Sequence, residues 1–216
     1  MALEKIEARV LSVLRDRGLL LFTDSHATSV VSLVTGAPAP GNWFTYPAAS
    51  TIYAIGQRLE DSKELISVPL LRGKGTLVHR RLWPELFAMA ASGEAWQEGG
   101  LSLPQKALLR LVRARRRVNV QQELRDLPLA RGGTAGDLAR SLERRLLVYG
   151  RSVHSPSGRH EKVLETWSAL QKDRKIHVPS VALALARATL DEASAPYQNR
   201  SRTLRLLPWQ VRSQAT

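Results

Sequence analysis

The chain has 216 residues, 44% hydrophobic and 24% charged, a composition that excludes a collagen-like or wholly disordered protein. No stretch approaches the roughly 18 uninterrupted apolar residues of a membrane span, and the lack of cysteine excludes disulfides and thiolate metal sites. The 32 basic residues outnumber the 19 acidic ones, and the resulting net charge of +13 is typical of proteins that bind a polyanion. Because the first residues show no export signal, we expect a cytoplasmic, nucleoid-associated protein without membrane contact.

The beginning of the chain predicts two helices separated by a short strand. Apolar residues recur at helical spacing over 3–14, and Gly18 is suited to end this first helix. The apolar run 19–22 predicts a strand, and the valines and leucine of 30–34 predict a second helix. The candidates for the N-cap of that helix are Thr23, Asp24 and Ser25.

A third helix and a β-hairpin complete the first predicted unit. The helix follows Pro47, after which apolar residues again recur at helical spacing. The segments 65–71 and 75–79 flank the turn 72–74 and predict a hairpin with a basic tip. A connecting helix is predicted at 82–91.

The second half of the chain repeats this order. A helix is predicted at 103–112, a short strand at 118–120 and a short helix at 121–124. Thr134 and Asp137 resemble a capping signal that opens a longer helix. A second hairpin is predicted from 147 to 164, with its turn at 155–159, and a last helix lies near 181–192.

Helix, strand, two helices and a hairpin is the element order of a winged helix-turn-helix, whose third helix enters the major groove. We therefore predict an α+β, mostly helical fold of tandem winged helix-turn-helix units with β-hairpin wings. The predicted domains are a first unit at 1–91, a linker at 92–100, a second unit at 101–170, and a C-terminal helix and basic tail at 171–216.

Arginines mark the predicted DNA-binding face of the second unit. Arg140, Arg144 and Arg145 lie opposite the apolar stripe of the third helix and are predicted to enter a groove. The alternative is an ordinary solvated helix face with intrahelical ion pairs. Basic residues at the end of the unit's first helix and in its hairpin turn are predicted to contact phosphates: Arg113, Arg115, Arg116, Arg117 and Arg159.

The first unit has a smaller basic cluster at and after its hairpin tip. Its members are Arg72, Lys74, Arg80 and Arg81, which are also predicted DNA contacts. Three aromatic residues, Trp43, Phe44 and Tyr46, precede the third helix and are predicted to fill the core. The alternative for them is stacking on an exposed base or insertion into a groove.

The sequence lacks the patterns of common catalytic and metal sites. The five histidines show no metal-ligand spacing, no phosphate-binding loop follows a strand, and the acidic residues are scattered. We expect no catalytic residue, no metal and no cofactor. The expected partner is DNA, duplex or damaged, and the duplicated scaffold also offers faces for a homodimer.

Two stretches, HRRLWP at 79–84 and VHSPSGRHEKVLE at 153–165, carry a resemblance to a known group. Together with the two predicted winged helices, they resemble small bacterial proteins related to the AlkZ/YcaQ DNA glycosylases, over about residues 3–170. The resemblance implies a tandem winged-helix fold and a role in DNA repair. Those glycosylases carry a Gln-x-Gln or Gln-x-Asp pair near their first unit. Here the one such string is Gln171-Lys172-Asp173, in a late segment, so the catalytic role is not carried over.

The leading hypothesis is a protein that binds duplex or damaged DNA mainly through phosphates, in repair or genome maintenance. One alternative is a glycosylase that acts on alkylated or crosslinked bases through an unrecognised carboxylate or amide. The second is a transcriptional regulator that reads a palindromic site.

Overall fold

A computed structural model of the chain describes residues 2–38, 42–123, 134–154, 160–198 and 206–210. The fold is α+β and mostly helical, and its described part contains two three-stranded antiparallel sheets. The contacts divide the chain into two compact units. One comprises the residues up to Leu86 together with those from Ala184 onward, and the other spans Phe87–Leu183.

The first unit is built around one small sheet with helices packed against it. Its elements up to the unit boundary are α1 (Ala2–Arg17), β1 (Leu19–Leu21), α2 (Val30–Thr35), α3 (Ala49–Glu60), β2 (Leu65–Val68), β3 (Thr76–His79) and α4 (Trp83–Ala90), which crosses that boundary. β3 lies in the centre of the sheet, with β1 and β2 antiparallel on its two sides. Leu20 lies opposite Leu77, and Ile66 lies opposite Val78. Buried leucines, valines and isoleucines of α1, α2, α3 and the sheet form one core.

Local signals fix both ends of the first helices. Gly18 ends α1 with a left-handed backbone (φ +78°), as the sequence predicts. The predicted caps of α2 are wrong, because Ser29 holds that position. The Ser29 Oγ accepts a hydrogen bond from the Ser32 amide at 3.1 Å, and the Ser32 Oγ accepts one from the Ser29 amide at 2.8 Å. Asp24 is therefore available for a different contact.

The second unit repeats the element order of the first. Its elements after α4 are α5 (Ala95–Glu98), α6 (Leu103–Arg115), β4 (Arg117–Asn119), α7 (Val120–Glu123), α8 (Ala135–Arg144), β5 (Tyr149–His154), β6 (His160–Glu165) and α9 (Trp167–Arg174). The strand order β4-β6-β5 matches the order β1-β3-β2 of the first sheet. In both units a helix and a strand are followed by two helices and a hairpin, and the hairpin's second strand is central. Buried residues of α6, α8 and the sheet form the second core.

The unit boundaries differ from the predicted domain boundaries. The predicted linker 92–100 contains α5, and the second unit continues past residue 170 to Leu183. The last described helix, α10 (Leu183–Ser194), leads into a segment that belongs to the first unit. The Tyr197 hydroxyl there donates to the Leu19 carbonyl at 2.8 Å. The predicted hairpin turn 155–159 lies outside the described residues.

Gly18 provides a test of the junction between α1 and β1. A Cβ at this position would lie 2.6 Å from Leu82 Cδ1, whereas a Cβ at Gly36, which also has a positive φ (+83°), meets nothing within 4 Å. We expect Gly36→Ala to lower the free energy of unfolding by about 1 kcal/mol, through backbone strain alone. Gly18→Ala adds overpacking and should cost about 1–3 kcal/mol more. Urea unfolding of the full chain measures both losses, and equal losses would contradict the steric reason.

Candidate nucleic-acid interface

In the element order that the two units share, α8 is the third helix, after α6 and α7, and its first turn is capped as the sequence predicts. The Thr134 Oγ1 accepts a hydrogen bond from the Asp137 amide at 3.1 Å, and the Asp137 carboxylate accepts one from the Thr134 amide at 3.2 Å. The hydrogen bonds from Thr134 lower the pKa of Asp137. The buried side of α8 carries Ala139 and Leu142, so the opposite side is left to polar residues.

Two of the three arginines predicted on α8 are exposed to solvent. Arg140 lies 3.6 Å from the Asp137 carboxylate, and both side chains are more than half exposed. Arg144 is exposed, and within the described residues no acidic group lies at salt-bridge distance from it, although its charge adds to the lowering of the Asp137 pKa. Such an exposed pair within one helix contributes little to stability, so both guanidinium groups are accessible to an anion. Residues four apart share a helix face, about 6 Å apart along the axis.

Arg145, the third of these arginines, is instead bound within the second unit. Its Nη1 donates to the carbonyls of Trp96, Gln97 and Gly99 at 3.3, 3.0 and 2.6 Å. These carbonyls lie in and directly after α5, where backbone acceptors lack helical partners. Arg145 therefore fixes α5 against the end of α8, and the groove role predicted for it has no support from this geometry.

The basic run at the end of α6 is largely neutralised by acidic residues of the same unit. Arg113 pairs with Glu98 at 2.5 Å, and Arg115 pairs with Glu123 at 2.5 Å. Arg116 ends α6 in a left-handed conformation (φ 63°), and its exposed side chain has no partner in the described part of the chain. Of the predicted phosphate contacts in this run, Arg116 is the one that the described residues leave unpaired.

Arg117, the last residue of this run, belongs to an ion-pair network around the buried Glu165. Its guanidinium donates to Glu165 Oε2 at 2.8 Å and also pairs with Asp173. Glu165 is buried, and Arg151 approaches its other oxygen at 3.5 Å. The hydrogen bonds to Glu165 and then to Asp173 raise the pKa of Arg117. Arg117 and Glu165 are directly opposite in the β4–β6 register, so this pair joins two strands.

A second buried carboxylate links α8 to the hairpin. Glu143 is buried and pairs with Lys162 of β6 at 2.8 Å. A Cβ on Gly150 of β5 would lie 2.0 Å from Glu143 Oε1, so only glycine leaves room for this carboxylate. The position of α8 against the hairpin is therefore set by an ion pair as well as by apolar packing.

The basic hairpin tip of the first unit is occupied by contacts within that unit. Lys74 donates to the buried Asp24 carboxylate at 2.8 Å, and Arg72 lies 3.7 Å from the same group. Arg72 also donates through its side chain to the Tyr197 carbonyl, while its amide donates to the Leu206 carbonyl at 2.8 Å. Arg72 and Lys74 therefore hold the turn and the C-terminal segment together.

Asp24 is ionised in the folded protein despite its burial. Burial raises its pKa, but hydrogen bonds from Lys74 and from the amides of Ala27 and His26 outweigh that effect and lower the pKa to about 2. Both amides donate to Asp24 Oδ1 at 2.9 Å. This side chain thus anchors its own loop and the hairpin turn at once.

The basic residues that follow the hairpin divide into one free and one bound side chain. Arg80 is exposed and has no side-chain partner in the described ranges, whereas Arg81 donates to the Asp16 carbonyl at the end of α1 at 2.7 Å.

His79 is mostly buried beside Glu64, and burial lowers its pKa. The hydrogen bond from Arg15 lowers the pKa of Glu64 to about 2.

The aromatic residues before α3 divide in the same way. Trp43 and Tyr46 pack against the buried Val31 and Ile52, as the core prediction requires, but Phe44 is 65% exposed. Periodicity could not identify Phe44 as exposed, because the segment between Pro40 and Pro47 has no regular spacing. The sequence also gives no sign of the ion pairs of Glu143 and Glu165, since the partners of both residues lie on other elements.

Other predicted features are not part of this geometry. Arg159 lies outside the described residues. Among the described residues, no group of three or more histidine or acidic side chains could hold a metal ion. No described helix has the length and apolar character needed to cross a membrane.

Comparison of the chain with protein-family models, with curated proteins and with solved structures gave no significant match.

The Asp24 contacts predict an acid-dependent loss of stability. Since the folded pKa of Asp24 is about 2, below its ordinary value of 3.8, its contribution is complete above about pH 4 and is lost as the pH falls through 2. Asp24→Asn should therefore lower the free energy of unfolding by about 2 kcal/mol at pH 7. The gap from the natural protein should close between pH 4 and pH 2, as measured by urea unfolding. A gap that stays constant over this range would rule out the ion pair as the cause.

Proposed function

We propose that the protein binds duplex DNA through two winged helix-turn-helix units, with α8 of the second unit as the main groove-contacting helix. The observation that carries this proposal is the pair of exposed arginines on the third helix of a unit whose strand order matches its neighbour's. In winged-helix proteins the third helix enters the major groove and the hairpin touches the backbone. The net charge of +13 supports a polyanionic partner.

The ion pairs select which arginines face the DNA. Arg140 and Arg144 share the exposed side of α8, and guanidinium groups there reach phosphates or the O6 and N7 acceptors of guanine. Arg116, exposed at the end of α6, is proposed as a phosphate contact of the same unit. Arg117 and Arg145 are left out of the proposed interface, because moving them would expose or unpair buried groups.

The first unit contributes less charge to the proposed interface. On its third helix, α3, Arg58 pairs with Glu7 of α1 at 2.9 Å, and the exposed positions include Ser50 and Tyr53. Arg80 is its proposed phosphate contact. We infer that the second unit provides most of the salt-dependent affinity, while the first unit provides a less charged surface.

The setting we propose is DNA repair or genome maintenance, which the resemblance to AlkZ/YcaQ-related proteins implies. The described geometry favours binding over base excision. Asp173, the acid of the Gln171-Lys172-Asp173 string, is paired with Arg117. A carboxylate held in this way is a poor candidate for activating water, because its charge is already neutralised.

The test is a salt series on a variant that lacks both exposed arginines of α8. Arg140→Ala/Arg144→Ala should weaken binding to a random duplex about tenfold at moderate salt. It should also reduce the slope of log Kd against log salt by about 2, since two phosphate-type contacts are lost. Fluorescence anisotropy with a labelled duplex measures both quantities.

The matched control removes the same amount of charge elsewhere. Lys5 and Arg9 are exposed on α1, and Lys5→Ala/Arg9→Ala should leave the slope within about 0.5 of the natural value. Equal effects of the two double variants would show that net charge alone drives binding, and would refute the assignment to α8. If the natural protein shows no affinity for duplex at low salt, the DNA-binding proposal is wrong.

A further inference from the structure

The segment before α3 ends in an aromatic stack that the core does not absorb. Trp43 and Phe44 lie in a single 3-10 turn, with ring centroids 3.9 Å apart and planes inclined by 23°. The Phe44 side chain is 65% exposed, so the ring presents an open surface while it rests on Trp43. Exposed phenylalanines are unusual because apolar rings gain free energy on burial.

The Trp43 ring of this stack is packed against the core of the first unit. Trp43 contacts Phe22, with centroids 5.9 Å apart, and it packs against a core cluster that contains Val31 and Ile52. Its turn is fixed by Asn42, whose side-chain oxygen accepts from the Phe44 amide at 3.1 Å. The Tyr46 amide donates to the Trp43 carbonyl at 3.1 Å. Trp43 and Phe44 together form what we call the platform. Its Trp43 ring is packed against the core, so a ligand that stacks on Phe44 would not need to order the turn first.

The segment that carries Trp43 and Phe44 is free of acidic residues. No aspartate or glutamate occurs in the sequence from Ser25 to Leu59, a stretch that includes the platform and nearly all of α3. A phosphate backbone that passes this surface meets no like charge from the segment itself. The platform also lies directly before the third helix of its unit, the element that faces DNA in the proposed function.

The size of the platform indicates the kind of group that covers it. Phe44 and Tyr53 are the exposed large hydrophobic residues of this segment within the described residues. Asn42, Thr45 and Pro47 around it are exposed, and stable protein interfaces bury more than about 1,000 Å² in total. One flat ring among small exposed neighbours matches the face of a single base better than it matches a protein surface.

We infer that Phe44 is a stacking site for an unpaired base of DNA, so that the first unit recognises a disrupted duplex while the second unit holds the backbone. This inference rests on the proposed function. An unpaired base has a free aromatic face, whereas a paired base is already stacked on its neighbours. The Phe44 site therefore confers preference for bulged or mismatched duplex over fully paired duplex.

The test compares a short duplex that carries a single-base bulge with its fully paired counterpart. The natural protein should bind the bulged duplex more tightly. Phe44→Ala should lose about fivefold or more of the affinity for the bulged duplex, and at most about twofold for the paired one. Phe44→Tyr keeps a stacking ring and should retain the preference. Competition anisotropy at one salt concentration gives all of these ratios.

The control is Leu185→Ala, which removes a side chain of similar exposure (60%) from α10 in the same unit and should change neither affinity. If the natural protein binds both duplexes but Phe44→Ala has the same preference, the stacking site is wrong and the proposed function stands. If sedimentation shows that the natural protein self-associates and that Phe44→Ala does not, with DNA affinity intact, the ring is a protein contact and the inference is overturned. If the natural protein binds neither duplex, the inference and the proposed function both fail.

Discussion

Three buried carboxylates set the main constraint on this fold. Asp24, Glu143 and Glu165 are the acidic residues buried in the described part of the chain, and each is paired with a cation of a hairpin or of its sheet. An unpaired buried ion costs several kcal/mol, so none of these cations can leave its partner without a large penalty. The hairpins of both units are thus fixed by electrostatics in addition to their hydrogen-bonded ladders.

Because of these internal ion pairs, the net charge of the chain does not show where the proposed interface lies. The net charge of +13 is the basis for proposing a polyanionic partner, but an individual basic residue can instead bind groups of its own unit. Arg72, Arg117 and Arg145 all bind groups within their own units. The residues that remain for the proposed DNA interface are Arg116 of α6, Arg140 and Arg144 of α8, and Arg80 of the first unit. So small a set favours backbone contacts over extensive base readout.

The sequence predicts best where the signal is local. The left-handed Gly18 and the capping box of Thr134 and Asp137 depend on residues within one turn, and both predictions are confirmed. The fate of Arg145 depends on carbonyls 46 to 49 positions away, which no spacing rule can show. The cap of α2 was misplaced because three capping residue types at 23–25 precede Ser29, and only packing decides among them.

The two units share one element order but differ in the chemistry of their third helices. α8 presents arginines. Contacts of arginine with phosphate weaken as salt is added, because the free energy gained by releasing counterions falls. The surface beside α3 presents an exposed ring and no acidic residue, and stacking on such a ring depends little on salt. In the proposed function, the arginines of α8 provide affinity and the Phe44 ring provides discrimination. The proposed preference for disrupted duplex therefore becomes a larger share of the total binding free energy as ionic strength rises, because the proposed phosphate contacts weaken while stacking depends little on salt.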